Sequence, residues 1–207
     1  MLITYHDLIN RYGIKVSGIL HVGAHECEEL KDYLNGGVAS NNIYWVEGQE
    51  VLVNDMKNRG IPNIYHALID DEDDKEVTFN ISNNGQSSSI LEFGSHSIHH
   101  PHVHYVSSHK QKTIRLDTLI EKNNIPMDRL NFLNLDIQGV ELRALKSMEK
   151  YLGNVKYIYT EVNTEEVYKG CDTIDAIDNY LKRFGFERYD ARIYQQFGWG
   201  DAFYIKK

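Results

Sequence analysis

An apolar run, Ile19-Leu20-His21-Val22, breaks at Gly23, and a second run, Tyr44-Trp45-Val46, ends in the carboxylate Glu47. This pair constrains the fold more than any other feature of the chain. Short apolar runs closed by turn residues read as buried strands, and a glycine turn after the first one opens a βαβ unit. Glycine has no Cβ, so backbone at Gly23 can approach a bound molecule closely. Glu47 stands twenty-four residues beyond Gly23. A carboxylate at the end of the second strand can accept hydrogen bonds from both hydroxyls of a ribose. The bland counterpart is an ordinary strand-to-helix turn followed by a surface glutamate.

The rest of the chain supports an α/β domain. Segment 4–12 reads as a short helix, 16–22 as a strand, 26–34 as a helix closed by Gly36-Gly37, 42–47 as a strand, 49–58 as a helix and 63–68 as a third strand. This is the alternation of a doubly wound, mostly parallel sheet. Rhythm changes over 77–116, which reads as an inserted strand and loop segment covering the site. Segment 77–82 alternates apolar and polar residues, 83–89 is a polar loop, and 96–109 carries six of the ten histidines. A short strand is expected at 113–116, then a helix at 118–123 capped by Asp117. Regularity resumes with a strand at 131–136, a helix at 140–152, a strand at 155–162, a helix at 172–184, and closing strands at 186–190 and 202–206.

With 207 residues, the expectation is one domain spanning 1–207. A net charge of -8 argues against a nucleic-acid surface. The acidic run 70–74 reads as a solvated turn. Two cysteines, Cys27 and Cys171, write neither a disulfide framework nor a metal motif. No cationic leader and no apolar stretch of about 18 residues is present, so a cytoplasm-like compartment and no membrane are expected.

Three expected strands end in polar residues on one edge: His21 to His25, Glu47 and Asp136. Ligands of open α/β sheets bind outside that edge. Asp136 and Glu161 can face the same crevice, where they compete with plainer duties, a helix N-terminus for Asp136 and a lysine pair for Glu161. Only Gly23 of a dinucleotide fingerprint is in place, so a pyrophosphate is poorly served. A ligand with a ribose and no phosphate fits better, and S-adenosylmethionine is such a ligand. The expected reversed C-terminal strand also suits a methyltransferase-like sheet.

Several blocks in order carry a family resemblance: Leu20-His21-Val22-Gly23-Ala24-His25, Trp45-Val46-Glu47, Ser87-Ser88-Ser89, Leu116-Asp117-Thr118-Leu119, Leu135-Asp136-Ile137-Gln138-Gly139-Val140-Glu141-Leu142, Glu161-Val162-Asn163 and Gly198-Trp199-Gly200-Asp201-Ala202. The chain resembles FkbM-type S-adenosylmethionine-dependent methyltransferases over most of its length. The resemblance implies a Rossmann-like class I methyltransferase sheet. It implies that His21, Gly23, Ala24 and His25 line the methionine and ribose part of the cofactor. Glu47 would hold the ribose hydroxyls, Ala67 and Leu68 would edge the adenine, and Ser87 to Ser89 would close over the cofactor. Asp136 would lie near the reacting centre. Many members carry Asp at His21 and Glu at Gln138, so an acid is missing where a metal ligand or base would be sought.

The expected reaction is methyl transfer to a hydroxyl oxygen, largely by positioning and water exclusion. Candidate general bases are Asp136, Glu161 and a histidine of the middle segment, His99. That segment reads as a mobile polar substrate loop and not as a metal site, because no rigid ligand spacing occurs. The resemblance suggests a sugar, glycan or small-metabolite acceptor. A homo-oligomer is left open. The alternative of another class is a non-catalytic interaction module that retains the fold.

Overall fold

A computed structural model describes residues 1–207. In chain order its elements are α1 (Tyr5–Tyr12), β1 (Ile19–Val22), α2 (Leu30–Asn35), β2 (Ile43–Glu47), α3 (Glu50–Asn58), β3 (Ile64–His66), β4 (Leu68–Ile69) and β5 (Glu76–Ser82). There follow α4 (His96–His99), β6 (Tyr105–Ile114), α5 (Leu116–Lys122), β7 (Phe132–Leu135), α6 (Glu141–Ser147), β8 (Tyr157–Asn163), α7 (Ile174–Lys182), β9 (Phe186–Tyr194) and β10 (Trp199–Lys206).

Seven strands form the main sheet in the order β3-β2-β1-β7-β8-β10-β9. β1 pairs in parallel with β2 and β7, β7 in parallel with β8, and β10 runs antiparallel to both β8 and β9. This is the Rossmann-like sheet with a reversed C-terminal strand expected from the sequence. Consecutive residues of a strand point to opposite faces. Leu20, Val22, Leu133 and Leu135 therefore enter one apolar cluster, while Ile19 and Phe132 enter the other with Trp45 and Tyr33. The sheet is buried on both sides, which is why its central strands read as continuous apolar runs and not as alternations.

A second sheet, ordered β4-β6-β5, is built from the middle of the chain. Here the structure departs from the sequence reading. The histidine-rich stretch is not a loop throughout. It holds the short helix α4 and the start of β6, which pairs antiparallel with β5 from Tyr105 to Lys112 and in parallel with β4 at Thr113 and Ile114. The short strand expected at 113–116 is only the end of β6. β6 is largely exposed, so its polar composition hid it.

Other boundaries shift for local reasons. The helix expected at 26–34 begins only at Leu30, because His25 and Cys27 take positive φ angles of 42° and 57° and coil the chain first. α5 starts at Leu116, so Asp117 lies inside it and grips Arg115 at 3.0 Å. The acidic run is not all solvated. Asp70 is fully buried between Lys75 and Arg143, both at 3.4 Å, and Asp73 accepts Arg115 N–H at 2.8 Å. These acids tie the second sheet to α5 and α6. No helix is long and apolar enough to cross a membrane.

Candidate functional site

The C-terminal ends of β1, β2 and β7 open onto one cavity of about 570 Å³. Its walls include His21, Gly23, His25, Glu47, Ala67, Leu68, Ser87, Ser88, Asp136 and Glu161. Two expected site residues are not on it. Ala24 is buried under the turn, 1% exposed, and His99 turns outward to Glu165 at 2.9 Å. The histidines of the middle segment that line the cavity are His96, His100 and His102. His99 is thus corrected as a candidate base, because it is not on the cavity wall and its Nε2 is taken by Glu165.

Glu47 is buried, and its two oxygens each accept one backbone N–H at 2.8 Å, from His25 and from Gln49. A carboxylate offers about four acceptor positions. The two that remain can receive a pair of vicinal hydroxyls. Burial raises the Glu47 carboxyl above its ordinary value, and the two N–H donors oppose that shift. Val46, Ala67, Leu68, Ile69 and Phe79 give the adjoining wall an apolar surface.

Gly23 owes its identity to a neighbouring strand. Its φ is +90°, and a Cβ there would fall 1.7 Å from the Asp136 carbonyl oxygen. His21, on the opposite face of β1 from Leu20, joins a polar chain in the second core. Asn134 donates to the Tyr33 hydroxyl at 2.8 Å, and that hydroxyl lies 3.2 Å from His21 Nδ1. Burial pushes the His21 imidazole down, so it is neutral. The hydroxyls of Ser87 to Ser89 are already engaged: Ser87 accepts from Asn84 at 3.0 Å, Ser88 donates to Gly85 O at 2.7 Å, and Ser89 donates to Gln138 O at 2.8 Å. They shape the loop that forms this side of the cavity.

Asp136 follows β7 directly, and its side chain is open to the cavity. The amide of Gln138 donates to Asp136 Oδ1 at 2.5 Å and to Glu161 Oε2 at 2.6 Å, while its oxygen accepts from the Tyr168 hydroxyl. Gln138 holds this position at a φ of +55°. Such strain in a non-glycine residue persists only where the surroundings enforce it. Asp136 keeps an exposed face, yet the protein crowded around the cavity mouth and then the charge of Asp201 raise it to about 6. Burial, then the charges of Asp136 and Glu141, raise Glu161 well above the carboxylate range. Two carboxyls at one site cannot both ionise freely, so Glu161 keeps the proton and Asp136 is the anion near neutrality.

The duties first weighed for these acids fall to others. Glu141 serves the start of α6, accepting the N–H groups of Ile137 at 2.9 Å and Gly139 at 3.1 Å. Glu161 has Gln138 and Asp136, and no lysine, as its partners. Asp201 on β10 lies opposite Glu161 in register and accepts Leu2 N–H at 2.6 Å. Sequence reasoning assigned no role to Tyr168 or Asp201. Asp201 had a signal in the Gly-Trp-Gly-Asp-Ala block, whereas Tyr168 lies in a stretch without one.

Six carboxylates line the cavity, Glu28, Glu29, Glu47, Asp136, Glu161 and Asp201, and no lysine or arginine does. No group of three or more His, Cys, Asp or Glu side chains has the arrangement of a metal centre. A mostly parallel seven-stranded sheet closed by a reversed C-terminal strand, with a glycine turn after β1 and a carboxylate at the end of β2, is the class I methyltransferase fold. Residues 21–188 match the model of the Methyltransferase FkbM domain. The chain belongs to the FkbM methyltransferase family.

Solved structures agree on the fold. Methyltransferase FkbM from Methylobacillus flagellatus KT shares 12% identity at a TM-score of 0.57, over 98% of this chain and 47% of that one. Magnesium protoporphyrin IX methyltransferase (ChlM) from Synechocystis PCC 6803, with bound SAH, shares 6% identity at a TM-score of 0.51, over 97% of this chain and 78% of that one. M. capricolum TrmK, in complex with S-adenosyl-homocysteine, shares 10% identity at a TM-score of 0.50, over 92% and 62%. A comparison with curated protein sequences finds no match.

Proposed function

We propose that this chain binds S-adenosylmethionine and methylates a hydroxyl oxygen of a small, uncharged acceptor. The observation that carries the reading is the meeting, in one cavity, of Glu47 with two free acceptor positions and of Asp136 held by Gln138. The cofactor passes a fit test. Its ribose suits Glu47, its adenine suits the apolar wall of Ala67 and Leu68, and its cationic sulfonium suits a cavity with six carboxylates and no cationic side chain. A pyrophosphate fails the same test. When bound, S-adenosylmethionine supplies a methyl group that leaves sulfur for the acceptor oxygen.

The chain's own residues hold and deprotonate the acceptor. Gln138 occupies Asp136 Oδ1 and leaves Oδ2 to take the hydroxyl proton. Tyr168 fixes Gln138, and Glu161 takes the amide's second N–H. The base is thus oriented through a neutral amide, much as a catalytic histidine is oriented by its carboxylate. A proton-accepting group of this kind contributes about 10²–10⁴-fold to a rate.

Calorimetric titration with S-adenosylmethionine, paired with transfer of a labelled methyl group, tests the reading. The wild-type chain should bind, and Asp136→Asn should bind within about threefold yet transfer at least about tenfold more slowly, an effect of ~1.4 kcal/mol on the barrier. A chain that does not bind the cofactor overturns the proposal. Binding without transfer to any hydroxylated acceptor would make the chain an interaction module.

A further inference from the structure

The cavity wall continues beyond Asp136 to the histidines. Gly23 packs against the Asp136 carbonyl, Asp136 against Gln138 and Gln138 against Tyr168. The rings of Tyr168 and His96 lie 5.6 Å apart, and those of His96 and His100 5.1 Å apart. Asp136 therefore stands between the Glu47 half of the cavity and a histidine half.

The histidine half contains unsatisfied polar atoms. His96 is only 7% exposed, and neither its Nδ1 nor the Nε2 of His100 has a partner within the protein. Buried polar atoms without partners are costly and uncommon. His96 cannot swing to find one, because its ring is stacked on Phe93 at 4.3 Å and 8°. Burial and the neighbouring histidines push His96 down to about 4, and His100 is lowered for the same reasons. Both are neutral at pH 7, so each offers one donor and one acceptor nitrogen.

Charge narrows what fits there. With an acidic lining, no lysine or arginine on the walls, and the one ammonium there, that of Met1, already paired with Glu29, a phosphate ester or a carboxylated acceptor is disfavoured. A protonated amine would pair with Asp136 and block its use as a base. Trp199, Val103 and Tyr168 add apolar surface against which the C–H face of a ring can lie.

We propose that His96 and His100 form the acceptor subsite, and that it takes an uncharged hydroxylated ring of the monosaccharide kind, each imidazole bonding a hydroxyl other than the one methylated. The proposal rests on the methyltransferase reading. His96 and His100 are binding residues in it, and the base remains Asp136.

The test is imidazole ¹⁵N NMR of the full chain, with and without saturating S-adenosylhomocysteine. The probes are methyl glucoside, methyl galactoside, glucose 6-phosphate and glucosamine. At least one neutral glycoside should shift His96 and His100, and glucose 6-phosphate should not. His96→Leu and His100→Leu should weaken that glycoside about tenfold or more while leaving S-adenosylhomocysteine affinity within about twofold, the scale on which a lost hydrogen bond is read. His96→Gln, which keeps a donor and an acceptor, should recover part of the loss and guards against a folding defect. Stronger binding of the phosphate or the amine, silence of both imidazoles toward every neutral glycoside, or unchanged affinity in the leucine variants overturns the proposal. If glycoside shifts both imidazoles but S-adenosylhomocysteine does not bind, the subsite stands and the methyltransferase reading falls.

Discussion

Gly23→Ala separates two explanations of the same glycine. If Gly23 only makes room for cofactor, alanine should leave the fold intact and weaken the cofactor alone. The structure points to the fold. Alanine at a φ of +90° is strained, at about 1–3 kcal/mol for such backbone. Its Cβ would sit 1.7 Å from the Asp136 carbonyl oxygen, roughly half of a normal contact distance. β1 and β7 must then separate where Asp136 N donates to Val22 O at 2.9 Å. Loss of that buried bond adds about 1–3 kcal/mol. The sum is about 2–6 kcal/mol, and a domain of this size loses roughly 2–4 °C of Tm per kcal/mol. Scanning calorimetry should therefore show Gly23→Ala melting at least about 4 °C below wild type, with or without cofactor. A variant that melts within about 2 °C of wild type, yet has lost S-adenosylmethionine, would refute the argument and restore the ligand explanation.

Glu47→Gln sets an amide NH₂ against the His25 or Gln49 N–H and loses a charged acceptor, so S-adenosylmethionine should bind about tenfold or more weakly by calorimetry, from the ~1.5–3 kcal/mol of such a bond; equal affinity would take Glu47 out of the site. Asp136 gives a pH signature. Its carboxyl is raised to about 6 in the folded chain, whereas an unfolded Asp titrates at about 3.9. The folded state therefore holds the extra proton, and the stability it confers is present below the unfolded value and lost as pH rises through about 6. The urea midpoint of wild type, taken relative to Asp136→Asn, should fall across that window while methyl transfer rises; two flat profiles would show that Asp136 titrates normally.

Much of the main sheet was legible because its strands are buried on both faces and so read as unbroken apolar runs. Their polar ends, His21 to His25, Glu47 and Asp136, mark one sheet edge in any parallel arrangement. β6 was not legible. It is exposed along most of its length, and period-2 patterning vanishes when neither face is buried. The histidines were visible as a cluster, but which of them meet the cavity depends on the rotation of the short α4. His96 in α4 and His100 just after it line the cavity while His99 pairs with Glu165, and one turn of helix gives no periodicity to read. The role of Gln138 was hidden for another reason: the reading looked for charge at that position, and an amide that bridges two carboxylates carries none.

The chain around α4 is sewn to the segment after β8. Gly94 N donates to Val167 O at 2.9 Å, Ser95 N to Glu166 O at 2.9 Å and Lys169 N to Glu92 O at 2.8 Å. Gly94 fits so closely that a Cβ would meet the Glu166 carbonyl oxygen at 2.0 Å. The two halves of the cavity thus come from different stretches of chain. The half around Glu47 is built early, from β1 to β4, while the half around His96 is a later patch basted in place at its margins. A patch of that construction can be recut. Exchanging residues between Gly94 and Val103 would retailor what the enzyme accepts, with the seam and the cofactor half left as they are.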